Sequence, residues 1–228
     1  MSLTTGRGPR STKPAGRFSA PVPEGVVYLE PFNRRVRARV GDRAVIDTED
    51  ALLVHRPGHA PAFGFPTAAV AGAGLPTEPL TESPGHVSVA WDAVDAWFEE
   101  DEQVFYHPRN PYHRVDCVPT SRRLTVAVHG TELVATGRTT GVYETSLPPR
   151  LYVPRDAVRM DLLVASPTTW YCPYKGTASY WTAVVDGHRT EDVAWSYDDP
   201  RPECQPIAGM LSFDGTRADV IQDLPPFS

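Results

Sequence analysis

The feature that most constrains this chain is that it repeats itself, because a repeat dictates two copies of one small unit before any other choice is made. A shift of 88 positions lays Arg34-Arg35-Val36 on Arg122-Arg123-Leu124, Val40 on Val128, and Val45-Ile46 on Leu133-Val134. The same shift lays Val54 on Val142, Pro61 on Pro149, Phe65-Pro66 on Val153-Pro154 and Ala69-Val70 on Ala157-Val158, without a gap. Farther on, Val89-Ala90-Trp91 matches Val193-Ala194-Trp195, and Arg114-Val115-Asp116 matches Arg217-Ala218-Asp219, at longer shifts. With these matches, the first copy lacks about 16 residues that the second has. With 228 residues to divide, each copy stands near the lower size limit for an independent core. Burial of a face against its twin is therefore expected.

The repeating unit reads as strands. Val36 to Val40 and Leu124 to Val128 alternate with period two, as a half-buried strand does. Gly41-Asp42 and His129-Gly130 come next as hairpin turns. Phe63 to Phe65 and Leu151 to Val153 are further strands, each stopped by a proline. Ser179 to Val185 is the strongest strand pattern, and Asp186-Gly187 turns it back. The chain holds 24 prolines and no long helical period, so helix is expected only as short turns, at Arg155–Leu163 and Ala93–Asp101. The predicted fold is all-β: two small tandem β-sandwich-like domains packed as a pseudo-dimer, over residues 26–120 and 121–228. Residues 1–25, rich in Gly, Pro, Ser and Thr, form a flexible arm ahead of them.

Composition narrows the function classes. A net charge of −6 argues against a nucleic-acid partner, and no window approaches the ~18 apolar residues of a membrane span. The start lacks the apolar stretch of a secretory signal. Three cysteines, Cys117, Cys172 and Cys204, with no C-x-x-C pair, fit free thiols in a cytoplasmic setting. The expected partner is a small molecule, with no cofactor and no metal. The internal pseudo-dimer uses up the twin surface, so a monomer is expected.

One bias points to chemistry. The 22 basic residues include only two lysines, Lys13 in the arm and Lys175 in the folded body. A lysine can lose its proton on burial whereas arginine effectively cannot. Lys175 comes closely after Cys172, in a turn where a cation can lower a thiol pKa and where Gly176 permits amide donors to face a substrate oxygen. The competing reading is an inert buried thiol and a solvated lysine.

The surrounding residues are also dense in aromatics: Trp170, Tyr171, Tyr174, Tyr180, Trp181, Trp195 and Tyr197. Such side chains either wall a pocket for a planar or cationic ligand or fill a core. Trp195, matched by Trp91, reads as core; Trp170, Tyr174, Tyr180, Trp181 and Tyr197 are candidates for the wall. His55 and His59, and His107 and His113 with Asp116, are the remaining candidate ligands, loop histidines being the simpler account. Glu99 to Glu102 reads as a solvated acidic run, and Arg35, Arg37 and Arg39 as a solvated strand face.

Three stretches carry a family resemblance: Trp170-Tyr-Cys-Pro-Tyr-Lys-Gly-Thr-Ala-Ser-Tyr-Trp181, Val193-Ala-Trp-Ser-Tyr-Asp-Asp-Pro200, and Asp101 through Asp116. They resemble the DUF427 family, the last stretch its tandem members. The resemblance implies a small β fold of the β-tent kind. The candidate site read from the residues themselves lies around Cys172 and Lys175, with His107 and Arg109 as further candidate ligand contacts. The resemblance implies no settled activity. A nucleotidyltransferase is not expected, since no Gly-Ser motif with paired aspartates after it is present. Three functions remain open. One is an enzyme in which Cys172, as nucleophile or polarised thiol, attacks an electrophilic carbon such as an acyl or imine centre, with Lys175 as its charge partner or as an amine base. Another is a non-catalytic small-ligand or modified-peptide binding domain with an aromatic cage. The last is a scaffold in which the motif locks a turn.

Overall fold

The computed structural model describes residues 3–225 and divides the chain into two compact units, one ending at His113 and the other beginning at Arg114. Among the described residues, helix is confined to Thr67–Val70 and to short 3-10 turns. No helix there is long and apolar enough to cross a membrane.

In the first unit, residues 3–27 run through bends and turns without helix or strand. Thr4 and Thr5 are nevertheless buried, and the Thr4 carbonyl accepts a hydrogen bond from Gly58 N. Nine strands come after them: β1 Tyr28–Pro31, β2 Val36–Val40, β3 Arg43–Thr48, β4 Leu52–His55, β5 Ala62–Pro66, β6 Thr77–Pro79, β7 His86–Val89, β8 Ala96–Glu99 and β9 Glu102–Val104. They form two antiparallel sheets in the orders β1-β4-β5-β7-β6 and β3-β2-β8-β9. Val36 and Ala38 of β2, Leu53, Phe65 and Trp97 meet in one core, each large apolar side chain adding about 1.5–3 kcal/mol by leaving water. Arg37 and Arg39 lie over the Phe98 ring, and Arg35 and Arg37 pair with Asp47 and Asp101, so two of the three arginine charges on this face are balanced locally.

The second unit has ten strands: β10 Val115–Thr120, β11 Leu124–Val128, β12 Thr131–Thr136, β13 Thr139–Glu144, β14 Arg150–Tyr152, β15 Leu163–Cys172, β16 Gly176–Val185, β17 His188–Ser196, β18 Leu211–Phe213 and β19 Asp219–Gln222. The sheets are β10-β13-β14, β12-β11-β19 and β15-β16-β17-β18. β11 shows strict alternation of buried and half-buried residues. Asp186 and Gly187 both have positive φ, 50° and 82°, which matches the right-handed twist of the β16–β17 hairpin. Two core clusters result. One is built on Leu124, Val126, Leu151, Val193 and Phe213, the other on Val115, Val142, Tyr152, Ala178, Tyr197, Cys204 and Ile207.

Strand pairing supports the 88-residue register and revises the matches made at longer shifts. Val36↔Thr48 to Val40↔Arg43 recurs as Leu124↔Thr136 to Val128↔Thr131, with the bulge at Ala38/Arg39 returning at Val126/Ala127. Tyr28↔His55 recurs as Asp116↔Tyr143, so Arg114–Asp116 opens the counterpart of β1 and is not the equivalent of Arg217–Asp219. Val89–Trp91 is likewise not the counterpart of Val193–Trp195. β7 pairs with β5 through Phe65↔Val87, and the position beside Val153 is taken by Leu211 of β18. Val36↔Glu99 then corresponds to Leu124↔Gln222, so the second unit carries about 35 extra residues, not about 16. They build the long β15–β16 hairpin and the start of β17. The helical expectation at Ala93–Asp101 also fails: Ala96–Glu99 is β8, held in a sheet by β2 and β9, while Arg155–Ala157 and Met160–Leu162 are 3-10 turns as expected.

Candidate functional site

Three strand segments of the second unit converge on a cavity of about 190 Å³. Alternation decides which side chains reach it. β13 presents Val142 and Glu144, two apart; β14 presents Arg150 and Tyr152, with Val142 directly opposite Arg150 across the pair. Trp195 in β17 and Tyr197 just beyond it supply the third wall, Leu147 and Pro148 a rim, and Lys175 reaches in from the β15–β16 turn.

That turn is built by the Cys172-Pro-Tyr-Lys-Gly176 string. Cys172 pairs with Gly176, and three residues close the hairpin. Gly176 has φ +102°, a conformation that side chains resist, and a Cβ there would stand 3.2 Å from the Asp199 carbonyl oxygen. Arg201 N donates to the Lys175 carbonyl at 3.1 Å, and the Cys204 thiol lies 3.7 Å from the Tyr174 carbonyl oxygen. The 199–204 segment therefore straps the turn and fixes where Lys175 points.

The Lys175 ammonium donates to a Glu144 carboxylate oxygen, and the two side chains retain only 11% and 10% of their exposure. Trp195 Nε1 donates to the Tyr152 hydroxyl at 2.8 Å, with the rings edge to face at 84°. The Arg150 guanidinium lies 5.1 Å from the centre of the Trp195 ring. Burial pushes the Tyr152 and Tyr197 phenols well above their ordinary pKa, so both remain neutral hydrogen-bonding groups at physiological pH. The cavity thus holds one charge-balanced pair, one further cation on an aromatic face, and two neutral hydroxyl groups.

The residues singled out from the sequence are spread over several environments. Lys175 and Tyr197 line the cavity. Cys172, Tyr174 and Tyr180 pack against the core cluster beneath it, Tyr180 with its ring 6.5 Å from that of Trp195. Trp181 packs on the other cluster, its Nε1 donating to Ser196 Oγ at 3.2 Å and its ring covered by Arg155. Trp170 is 57% exposed on β15. His107 and Arg109 belong to the first unit. His107 Nδ1 donates to the Pro108 carbonyl at 2.7 Å. Arg109 binds the buried Glu99 through its backbone N and Nε and binds Glu102 through its terminal nitrogen. Glu99, read as part of a solvated acidic run, is therefore a buried anchor, also bound by Arg34.

The other candidate ligands are dispersed. His55 is fully buried, 2.9 Å from Glu30, and His59 turns onto the Pro57 carbonyl. Among the described residues no three His, Cys, Asp or Glu side chains converge on a metal position. All three cysteines lie in the second unit, around the same core cluster. Burial raises the Cys117 thiol and pushes Cys204 up to about 12.

Sequence reasoning missed Glu144, Arg150 and Tyr152; Trp195, read as core, does pack against the core cluster and also walls the cavity, although strand pairing does not support its match with Trp91. A usable signal was present for Glu144: a lone body lysine requires a counter-ion if buried, and β13 is an otherwise apolar and hydroxyl-bearing strand ending in that acid. The family model described as "Domain of unknown function (DUF427)" matches residues 116–224, close to the whole of the second unit. No curated protein matches the chain.

Proposed function

With residues 116–224 belonging to the DUF427 family, we propose that the second unit takes a small molecule into the Trp195-walled cavity and acts on a carbonyl carbon through the Lys175 amine. The observation that carries this reading is the Lys175–Glu144 pair lining a cavity, in a chain whose folded body otherwise uses arginine for every cation. Proton transfer from the ammonium to Glu144 frees the nitrogen lone pair for attack. The carbinolamine that forms loses its oxygen as water. Two protons of the original ammonium leave with that oxygen, and the third stays on the nitrogen of a protonated imine. The Tyr152 and Tyr197 hydroxyls, neutral at working pH, are the groups available to steady the oxygen as it departs.

A second reading is favoured by the closeness of the same pair. An ammonium fully engaged by Glu144 serves structure, and the cavity then binds without reacting. Trapping separates the two. The protein is incubated with pyruvate and cyanoborohydride and mapped by peptide mass. Lys13 is the internal reference, since the chain has two lysines. Faster reductive labelling of Lys175 than of Lys13 supports the amine chemistry; labelling of Lys13 alone refutes it. Cys172→Ser is expected to leave Lys175 labelling in place, and its loss in that variant would show that the amine depends on the thiol.

A further inference from the structure

Arg150 is the cation of the cavity that the fold leaves uncommitted. Lys175 is neutralised by Glu144. Among the described residues no carboxylate pairs with Arg150, and the nearby Asp214 is occupied by Thr216 and Arg217. The guanidinium instead lies against the Trp195 ring, which is itself held by the Tyr152 hydroxyl. That contact leaves the guanidinium N–H groups without an acceptor among the described residues, and their fork matches a carboxylate with two parallel hydrogen bonds. A cation held on a ring at the rim of a cavity, with its donors unspent, is an anion anchor.

From this, and resting on the reading of Lys175 given above, we infer that the ligand is a short 2-oxo acid. Its carboxylate pairs with Arg150 while its adjacent carbonyl carbon meets the Lys175 nitrogen. The carboxylate supplies the negative charge that balances Arg150, the cavity of about 190 Å³ limits the length of the remaining chain, and Trp195 offers a flat apolar wall along the planar oxo-acid. The reaction balances as before: ammonium and carbonyl give protonated imine and water.

Two probes of matched shape test the inference, pyruvate and butanone, which differ in whether the ketone carries a carboxylate or an ethyl group. Each is trapped with cyanoborohydride, and Lys175 labelling is normalised to Lys13. The expected result is at least tenfold more Lys175 labelling by pyruvate, a preference that shrinks as salt is raised because Arg150 is exposed. Arg150→Met should bring the ratio towards one and Arg150→Lys should restore part of it. Equal labelling by the two probes, with the ratio unmoved by Arg150→Met, overturns the carboxylate assignment while leaving the amine chemistry standing. Absence of Lys175 labelling by either probe overturns both.

Discussion

Lys175→Met is the most informative single perturbation, because it tests the burial of the pair independently of any ligand. It leaves the Glu144 carboxylate, 10% exposed, without its ammonium. Breaking a buried ion pair by removing one partner costs about 3–5 kcal/mol. The lower end applies here, since the carboxylate lines a cavity. At ten-fold per 1.4 kcal/mol, a loss of about 3 kcal/mol raises the unfolded fraction of the second unit about a hundredfold. Glu144→Gln added to Lys175→Met removes the charge that the lysine had balanced, so the double variant should recover about 2 kcal/mol of the loss. The chain supplies its own probe: Cys204 is fully buried in the second unit, so its alkylation reports opening of that unit. Labelling rates at Cys204 are compared across native protein, both single variants and the double. A loss below about 1 kcal/mol in Lys175→Met, or strict additivity in the double variant, would refute the claim that Lys175 and Glu144 form a buried, mutually dependent pair.

Other parts of the molecule give three further expected outcomes. Gly176→Ala, at φ +102° and 3.2 Å from the Asp199 carbonyl, should cost about 1–3 kcal/mol and slow Lys175 trapping, read by urea denaturation and peptide mass; an unchanged midpoint would show the turn can relax. The Cys204 thiol is raised in the folded state by burial. It binds its proton more tightly folded than unfolded, so stability is intact below about pH 9 and falls as pH rises towards 12. Cys204→Ala should flatten that decline in part, the raised Tyr152 and Tyr197 keeping the rest; a pH profile identical to the native one would remove Cys204 from the account. Glu99→Ala removes a buried acceptor shared by Arg34, Arg109 Nε and the Arg109 backbone N–H and should destabilise the first unit by about 1–3 kcal/mol, seen as loss of the Trp91–Trp97 near-ultraviolet signal at a lower urea concentration.

Legibility in the sequence depends on which interactions are local. The hairpin Val36–Thr48 and its later equivalent could be read because alternation and turn residues lie within a dozen residues of one another, and both copies carry the same instruction. Lys175 could be singled out because composition alone made it unusual. The partners of Lys175 could not, since Glu144, Arg150 and Trp195 arrive from three strands and are assembled by pairings such as Val142↔Arg150 and Tyr180↔Trp195 that no local pattern specifies. The Trp91 and Trp195 match shows how identity misleads where topology has diverged. Trp91 sits on a 3-10 turn stacked on Trp97, its carbonyl accepting from the Trp97 ring nitrogen. Trp195 lies within β17, donates to Tyr152 and carries Arg150. Insertion of the β15–β16 hairpin is what separates their roles, because it brings Lys175 to the wall that Trp195 faces. The same insertion accounts for the asymmetry between the units: the first keeps the common hairpin but has no counterpart to the segment that delivers the lysine.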